Sequence, residues 1–414
     1  MNSANHSVTE RLAQHLQRPV QKIVRTKARF HLLDWLACVA GARGSALAQI
    51  QGARTDGNIF DRTVWLGNVL EMDDVHRTAI LHPGPVVWPA ALSLGDDDLN
   101  GALDAAVRGY EAMIAIGSMF DARHYAYWHN TATAGTFGAA AAAASRIGLD
   151  SAQTVSALGL AGSVTGGLWQ MRHEPVMAKQ WHLAHCLTTG VAAARNAAHG
   201  ITGPRFILEG SQGLLTASCA EPRPLELPDH WRIDEVSFKP WGACRHAHPA
   251  IDAALELKAQ GALEGPVTLS TYRDAMVFCD RPSPQSVIDA KFSIQHAVAI
   301  VMARGVPVLT DFEPGAIAEL APLRALVTVA EDQAISADYP AHFGARIESA
   351  AGRVMLRDTL GDPERPLADE GIIEKAQALM AWGGIDPSRA EAAIHAVLEG
   401  DRVSAIADIL GEWL

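Results

Sequence analysis

The stretch FKPWGACRHAHP, residues 238–249, sets Lys239, Cys244, Arg245, His246 and His248 in close succession ahead of an apolar, helix-like run. A zinc reading through Cys244, His246 and His248 would use alternate residues of an extended loop. It has no fourth ligand nearby, and an arginine stands among the three. Pro249 suits the first position of a helix through AIDAALELKA, so Arg245, His246 and His248 fall just before a helix N-terminus. Free amides and the helix dipole favour negative charge there. Arg245 can grip a carboxylate through two parallel bonds, and Lys239 adds a point charge. The local chemistry is that of a carboxylate pocket; the plain alternative is a polar seam between domains.

Three further clusters carry titratable groups. In EMDDVHRTAILHPG, residues 71–84, Asp73, Asp74, His76 and His82 have the right types for metal ligands but not a familiar ligand spacing. Pro83, Gly84 and Pro85 force a turn that aims His82 toward a cleft, while Asp74 and His76 also read as helix-end polar groups. In HYAYWHNTATAGTFG, residues 124–138, Tyr125, Tyr127 and His129 precede a helix start, and an imidazole there suits proton shuttling. An aromatic loop sealing a bundle is the structural alternative. In MAKQWHLAHC, residues 177–186, Lys179, His182 and Cys186 share one helix face. A lysine on so apolar a helix is a candidate base or carboxylate clamp when desolvated, and a snorkelling surface lysine otherwise.

The elements that must position these groups are mostly helical. QKIVRTKARFHLLDWLACVAGA, TAGTFGAAAAAASRIGLD, SAQTVSALGLAGS and AKQWHLAHCLTTGVAAARNAAHG have helical periodicity or helix-favouring composition, with glycine or capping residues at their ends. Ser7 and Glu10 have capping-box spacing. Composition shifts at EPRPLELPDHW, after which strand-like pieces PVTLSTYRDAM, RALVTVAED and the hairpin ARIESAAGRVMLRD appear around the helix IDAKFSIQHAVAIVMARG. The predicted fold is mainly α. A large all-helical domain, residues 1–225 plus 366–414, carries an inserted smaller α+β domain, residues 226–365.

At 414 residues, 49% apolar and 19% charged, the chain can bury a large core. Its net charge of −12 gives no basic footprint for nucleic acid. No apolar run is long enough for a membrane span and the N-terminus does not read as a signal peptide. The five scattered cysteines suit a reduced cytoplasm rather than a disulfide framework. There is no phosphate-binding G-x-x-x-x-G-K-[ST], no strand-linked G-x-G-x-x-G, no H-E-x-x-H and no G-x-S-x-G elbow.

Taken in order, LLDWLACVAGA, DDVHRTAILHPG, WHNTATAGTFGAAAAAA, KQWHLAHC, FKPWGACRHAHPAIDAA and AKFSIQHAVA resemble the MmgE/PrpD family over nearly the whole chain. That family includes 2-methylcitrate dehydratase, cis-aconitate decarboxylase and iminodisuccinate epimerase. The resemblance implies a homodimer, an active site between the domains with no metal and no organic cofactor, and di- or tricarboxylic acids handled by proton transfer beside a carboxylate. By motif it places His82, His129 and Lys179 among the catalytic groups and Lys239 with the substrate. Arg245, His246 and His248 then close the pocket, with Asp74, His76, Tyr127 and Gln170 as further substrate-binding candidates. One departure is His296: decarboxylase and dehydratase members have a tyrosine after this glutamine. If that tyrosine donates a proton, His296 could do so at a different pKa, and the change counts against itaconate-forming decarboxylation. Dehydration and epimerisation both remain open, as does a catalytically silent carboxylate-binding protein.

Overall fold

The computed structural model describes residues 6–53, 58–174 and 176–414. The chain is mainly α, with one small sheet, and forms two compact units. One comprises residues 1–69, 73–236 and 368–414; the other comprises 70–72 and 237–367. The first boundary lies later than the one expected at 225/226, and the reason is packing. Trp231 and Ile233 are buried, and the backbone amide of Arg232 donates to Glu111 in the helical unit, so residues 226–236 stay with it.

The larger unit is helical, with α1 (Lys22–Gly41), α2 (Gly84–Leu92), α3 (Leu99–Gly117), α4 (Asn130–Arg146), α5 (Ser151–Gly162) and α6 (Ala178–Ala198) as its main elements. The amino-terminal capping box forms as read: the Glu10 amide donates to the Ser7 hydroxyl, and the Ser7 amide to Glu10. Helix α4 is the pivot, buried from Asn130 to Ala144. Its neighbours approach so closely because they meet it at glycine. A Cβ on Gly109 of α3 would stand 3.0 Å from the Gly138 carbonyl, and one on Gly190 of α6 would stand 2.5 Å from the Ala139 Cβ. Small residues allow this closeness, and dispersion between many atoms then holds the three helices together.

The smaller unit packs α7 (His248–Ala259) and α8 (Ile294–Arg304) against a four-stranded sheet. Its strands are β1 (Val267–Thr271), β2 (Val327–Glu331), β3 (Ala345–Glu348) and β4 (Arg353–Leu356), in the order β2-β1-β3-β4. They fall within the stretches read as strands. The β1–β2 pair is parallel and so needs the long helical crossover between them, while β3–β4 is an antiparallel hairpin closed by Ser349 N–H donating to the Gly352 carbonyl. The apolar core between helices and sheet contains Leu257, Leu269, Val298 and Ile347. Beyond β4 the chain returns to the helical unit through α9 (Asp369–Trp382).

Among the described residues, no helix is long and apolar enough to cross a membrane. All five cysteines are free and buried.

Candidate active site

The larger unit gathers its titratable groups at the amino end of α4. His129 is the N-cap of that helix, and no side chain caps the end. The His129 backbone amide donates to the Gly167 carbonyl at 2.9 Å, which ties the 166–168 segment beside it. The His129 Nδ1 lies 3.3 Å from the Nδ1 of His182, in the first turns of α6, where Lys179 stands one turn earlier. His129 is buried, and its pKa is held well below the ordinary value. Burial is the larger cause, and the positive charges of Lys179, His182, His82 and Arg172 add to it. The His129 imidazole is thus kept neutral, with His182 in direct contact and the other basic groups acting on it through their charge.

His82 arrives through local geometry. An antiparallel bridge joins His76 and Leu81, the His76 amide donating to the Leu81 carbonyl at 2.9 Å and the reverse bond measuring 3.3 Å. Ile80 turns the loop with a left-handed φ of 51°, costly for a β-branched residue. The returning chain places His82 Nδ1 2.9 Å from Asp73 Oδ2, a close ionic contact that is not aligned as an in-line hydrogen bond. Asn68 donates to the other Asp73 oxygen at 2.6 Å, and the His82 amide donates to the Thr131 hydroxyl at 3.1 Å. The carboxylate occupies the Nδ1 side of the ring, which leaves Nε2 as the nitrogen for chemistry.

Several sequence candidates do other work. Asp74, expected on substrate, accepts from the Gly84 amide, from Tyr110 Oη at 2.6 Å, and pairs with His31 at 2.9 Å, all in the interior. His76, also expected on substrate, pairs through Nε2 with Glu235 at 2.9 Å and accepts the Ala79 amide at Nδ1. These two are struts that shape the His82 loop. Tyr127 is 66% exposed on the short helix Ala122–Tyr127. Gln170 is exposed and donates to Glu174 at 2.8 Å. Cys186, on the Lys179 face of α6, donates to the Ala132 carbonyl at 3.0 Å, and burial pushes its thiol up to about 12.

The smaller unit has its own cationic cluster. Lys239 is fully buried, with Nζ 3.8 Å from Glu71, a residue that itself holds a left-handed φ of 57°. Arg245 pairs with Asp362 through Nη2, while its buried Nε and Nη1 have no hydrogen-bond partner among the described residues. Each of these two N–H groups can still donate singly to an acid oxygen. The neighbouring histidines are not so disposed. Residues 245–247 form a 3₁₀ turn, and His248 is already the first residue of α7, its Nε2 donating to the Ala243 carbonyl at 3.1 Å. His246 bonds the Tyr272 hydroxyl at 2.8 Å within a box of Phe278, Tyr339 and Phe343. Burial, then Arg245 and Lys239, push it down to about 3.

His296, expected as a stand-in proton donor, has both ring nitrogens engaged. Nε2 donates to the Asp311 carbonyl at 2.8 Å, and Nδ1 accepts from Arg324 at 3.2 Å. Burial lowers it to about 4, so it is a neutral strut between α8 and the segments after it. Among the described residues, ligand atoms gather closely enough for a metal ion only at His342, Asp358 and Glu364, near the β3–β4 hairpin. There His342 already bonds Asp358 at 2.7 Å.

Sequence reasoning missed Arg172 and Trp169 and read Asp73 only as a possible metal ligand. Trp169 begins a 3₁₀ turn, Trp169–His173, and its ring lies 4.6 Å from that of His129. An aromatic residue followed three positions later by arginine, between two chemistry-bearing segments, is the signal that could have found them. A pocket of about 650 Å³ opens on the other side of α6, lined by Arg62, Trp65, Trp181 and Arg195. It contains none of the groups that face His129.

Among known protein families, residues 65–226 match the MmgE/PrpD N-terminal domain and residues 241–400 the MmgE/PrpD C-terminal domain. Among curated proteins the chain is similar to the cis-aconitate decarboxylase-like protein oryM of Aspergillus oryzae. Identity is 24% over 382 residues, covering 82% of this chain and 79% of that protein. It is also similar to cis-aconitate decarboxylase of Homo sapiens, 28% identical over 191 residues, covering 43% of this chain and 39% of the human protein.

Proposed function

Because the chain belongs to the MmgE/PrpD family, we propose that it is a lyase acting on a di- or tricarboxylic acid by removing a proton from the carbon beside a carboxylate. The observation that carries this reading is the position of His129 at the amino end of α4, beside His182 and one turn of α6 from Lys179, with His82 tied to the same end of α4 through Thr131. Ionising a C–H bond next to a carboxylate builds negative charge on the acid's oxygens. An uncapped helix end and pre-placed N–H donors meet that charge without reorganising, often the largest single contribution to such catalysis.

In this mechanism Lys179, in its unprotonated form, takes the proton. His82, entering this step as the imidazolium beside Asp73, gives its Nε2 proton to the departing hydroxyl, which leaves as water, and the product is an alkene acid. Each acid–base group of this kind is typically worth about 10² to 10⁴ in rate. The chemistry invokes no metal and no organic cofactor. Dehydration stands first among lyase outcomes because it is the broader association within the family. A second reading, epimerisation of a dicarboxylate, is favoured by the presence of two distinct imidazoles, His82 and His129, one of which could return the proton to the opposite face.

The test is incubation with citrate-like, malate-like and aspartate-derived acids in deuterated buffer. Appearance of an alkene absorbance supports dehydration, and deuterium uptake with no net product supports epimerisation. Absence of both across the panel removes the enzymatic reading and leaves a carboxylate-binding protein. Lys179→Met is expected to abolish exchange while leaving the fold intact, as checked by circular dichroism; undiminished exchange takes Lys179 out of the mechanism.

A further inference from the structure

We propose that Asn130 is a positioning residue: by holding the Ala79 carbonyl it keeps a strained turn closed and so sets where the His82 imidazole stands. The turn is independent of which acid the protein handles, and only its consequence for catalysis rests on the lyase reading above.

Ile80 stands near the tip of the turn with a left-handed φ of 51°. For a β-branched residue this favours reopening by at least about fivefold unless other contacts oppose it. Inside the turn the Ile80 amide donates to the Arg77 carbonyl at 3.2 Å and the Ala79 amide to His76 Nδ1 at 3.2 Å, beside the bridge between His76 and Leu81. From outside, two consecutive residues of the first turn of α4 grip it. Asn130 Nδ2 donates to the Ala79 carbonyl at 2.9 Å, just before Ile80, and the Thr131 hydroxyl accepts the His82 amide at 3.1 Å, just after Leu81. The grips flank the left-handed residue, so relaxation toward negative φ pulls against both. Asn130 directly follows His129, so the backbone that carries one imidazole also sets the place of the other.

What Asn130 costs points to position rather than to stability. Its side chain belongs to a residue only 3% exposed, and its Oδ1 is buried with no hydrogen-bond partner among the described residues. A buried amide with one half unsatisfied adds little net stability. Its contribution is the Nδ2 bond, which satisfies the carbonyl of the buried Ala79 and ties the turn to α4.

The experiment measures, on the full chain, the rate at which diethyl pyrocarbonate modifies His82, read by peptide mass spectrometry. The His82 side chain is 17% exposed and within reach of the reagent, while His31 and His124, fully buried in the same unit, are internal controls. Asn130→Ala is expected to raise the His82 rate by about two- to tenfold, the population shift that one lost hydrogen bond produces, with His31 and His124 unchanged. Ile80→Gly removes the left-handed penalty, so Asn130→Ala combined with Ile80→Gly should return His82 to the wild-type rate. An unchanged His82 rate in Asn130→Ala overturns the proposal. So does a rise shared by His31 and His124, which marks general loosening, and so does a double variant that behaves like Asn130→Ala alone. With an acid whose protons the wild type exchanges in deuterated buffer, Asn130→Ala should lower kcat by up to about a hundredfold, the cost of a small misplacement, and keep KM within about twofold. An undiminished kcat there overturns the positioning role. A wild type that exchanges no proton with any of the acids removes the lyase reading and leaves the His82 rates to decide the clamp.

Discussion

Asp73 and His82 are brought side by side by a turn whose bridge runs between His76 and Leu81. A carboxylate at 2.9 Å sits against one ring nitrogen and leaves the other for chemistry. Asn at position 73 keeps the shape and removes the charge. Asp73→Asn is therefore expected to lower turnover by about 10² to 10⁴-fold, the range of one acid–base contribution, with little change in apparent substrate affinity. Steady-state kinetics on the acid that shows exchange would check this, and an unchanged turnover number would separate His82 chemistry from its carboxylate. The corresponding lesson at Asp74 is different. Its oxygens serve Gly84, Tyr110 and His31, so its loss acts through the loop and the core rather than through the proton.

At the scale of elements, the site depends on how tightly α4 is held, because His129 stands at its amino end and Lys179 belongs to its neighbour α6. Gly190 is where these helices touch most closely: an added Cβ would lie 2.5 Å from Ala139 Cβ and 2.6 Å from the Ala140 backbone nitrogen. Neither neighbour is the far end of a flexible chain, so the helices must separate. Gly190→Ala is expected to destabilise the larger unit by about 1–3 kcal/mol, read by denaturant unfolding, and to reduce proton exchange by moving Lys179 relative to His129. Gly148 is a useful contrast. It has a φ of 70°, but nothing lies within 4 Å of where its Cβ would stand, so Gly148→Ala costs only backbone strain. Equal destabilisation by the two substitutions would count against the close-packing account.

Across the whole molecule, buried histidines set the response to acid. Burial pushes His124 to about 4, His246 to about 3 and His296 to about 4, against about 6.5 for an unfolded chain. The unfolded chain thus binds more protons in this range, so their contribution falls as pH drops below about 6.5 and is constant above it. Each amounts to roughly 1.4 kcal/mol per pH unit between its two values. Asp34 works in the opposite sense. Burial raises it to about 7 although Lys375 faces it, so its contribution is present below about pH 4 and lost as pH rises through about 7. The lowered histidines, His129 among them, outnumber the raised carboxylates, which predicts a lower thermal midpoint at pH 5 than at pH 7 by circular dichroism. An equal or higher midpoint at pH 5 would mean that the histidines are hydrated in solution.

The chain by itself determined its helices, its strand positions and its family, because periodicity, caps and turn residues act between neighbours a few positions apart. The capping box at Ser7 and Glu10, the strands within VTLST and RVML, and the motif segments that carry His82, His129 and Lys179 were all legible in this way. Which of those groups face one another was not. Asp74 and His76 have the same residue types as Asp73 and His82, yet one pair props a loop and the other contacts across it. His246 and His248 stand beside Arg245 in sequence but turn to Tyr272 and the Ala243 carbonyl. Arg172 and Trp169 carry no motif and come to notice only through the stack they form toward the ring of His129. A side chain's role is set by partners from distant segments and by the water it loses on burial, and both are decided by tertiary packing.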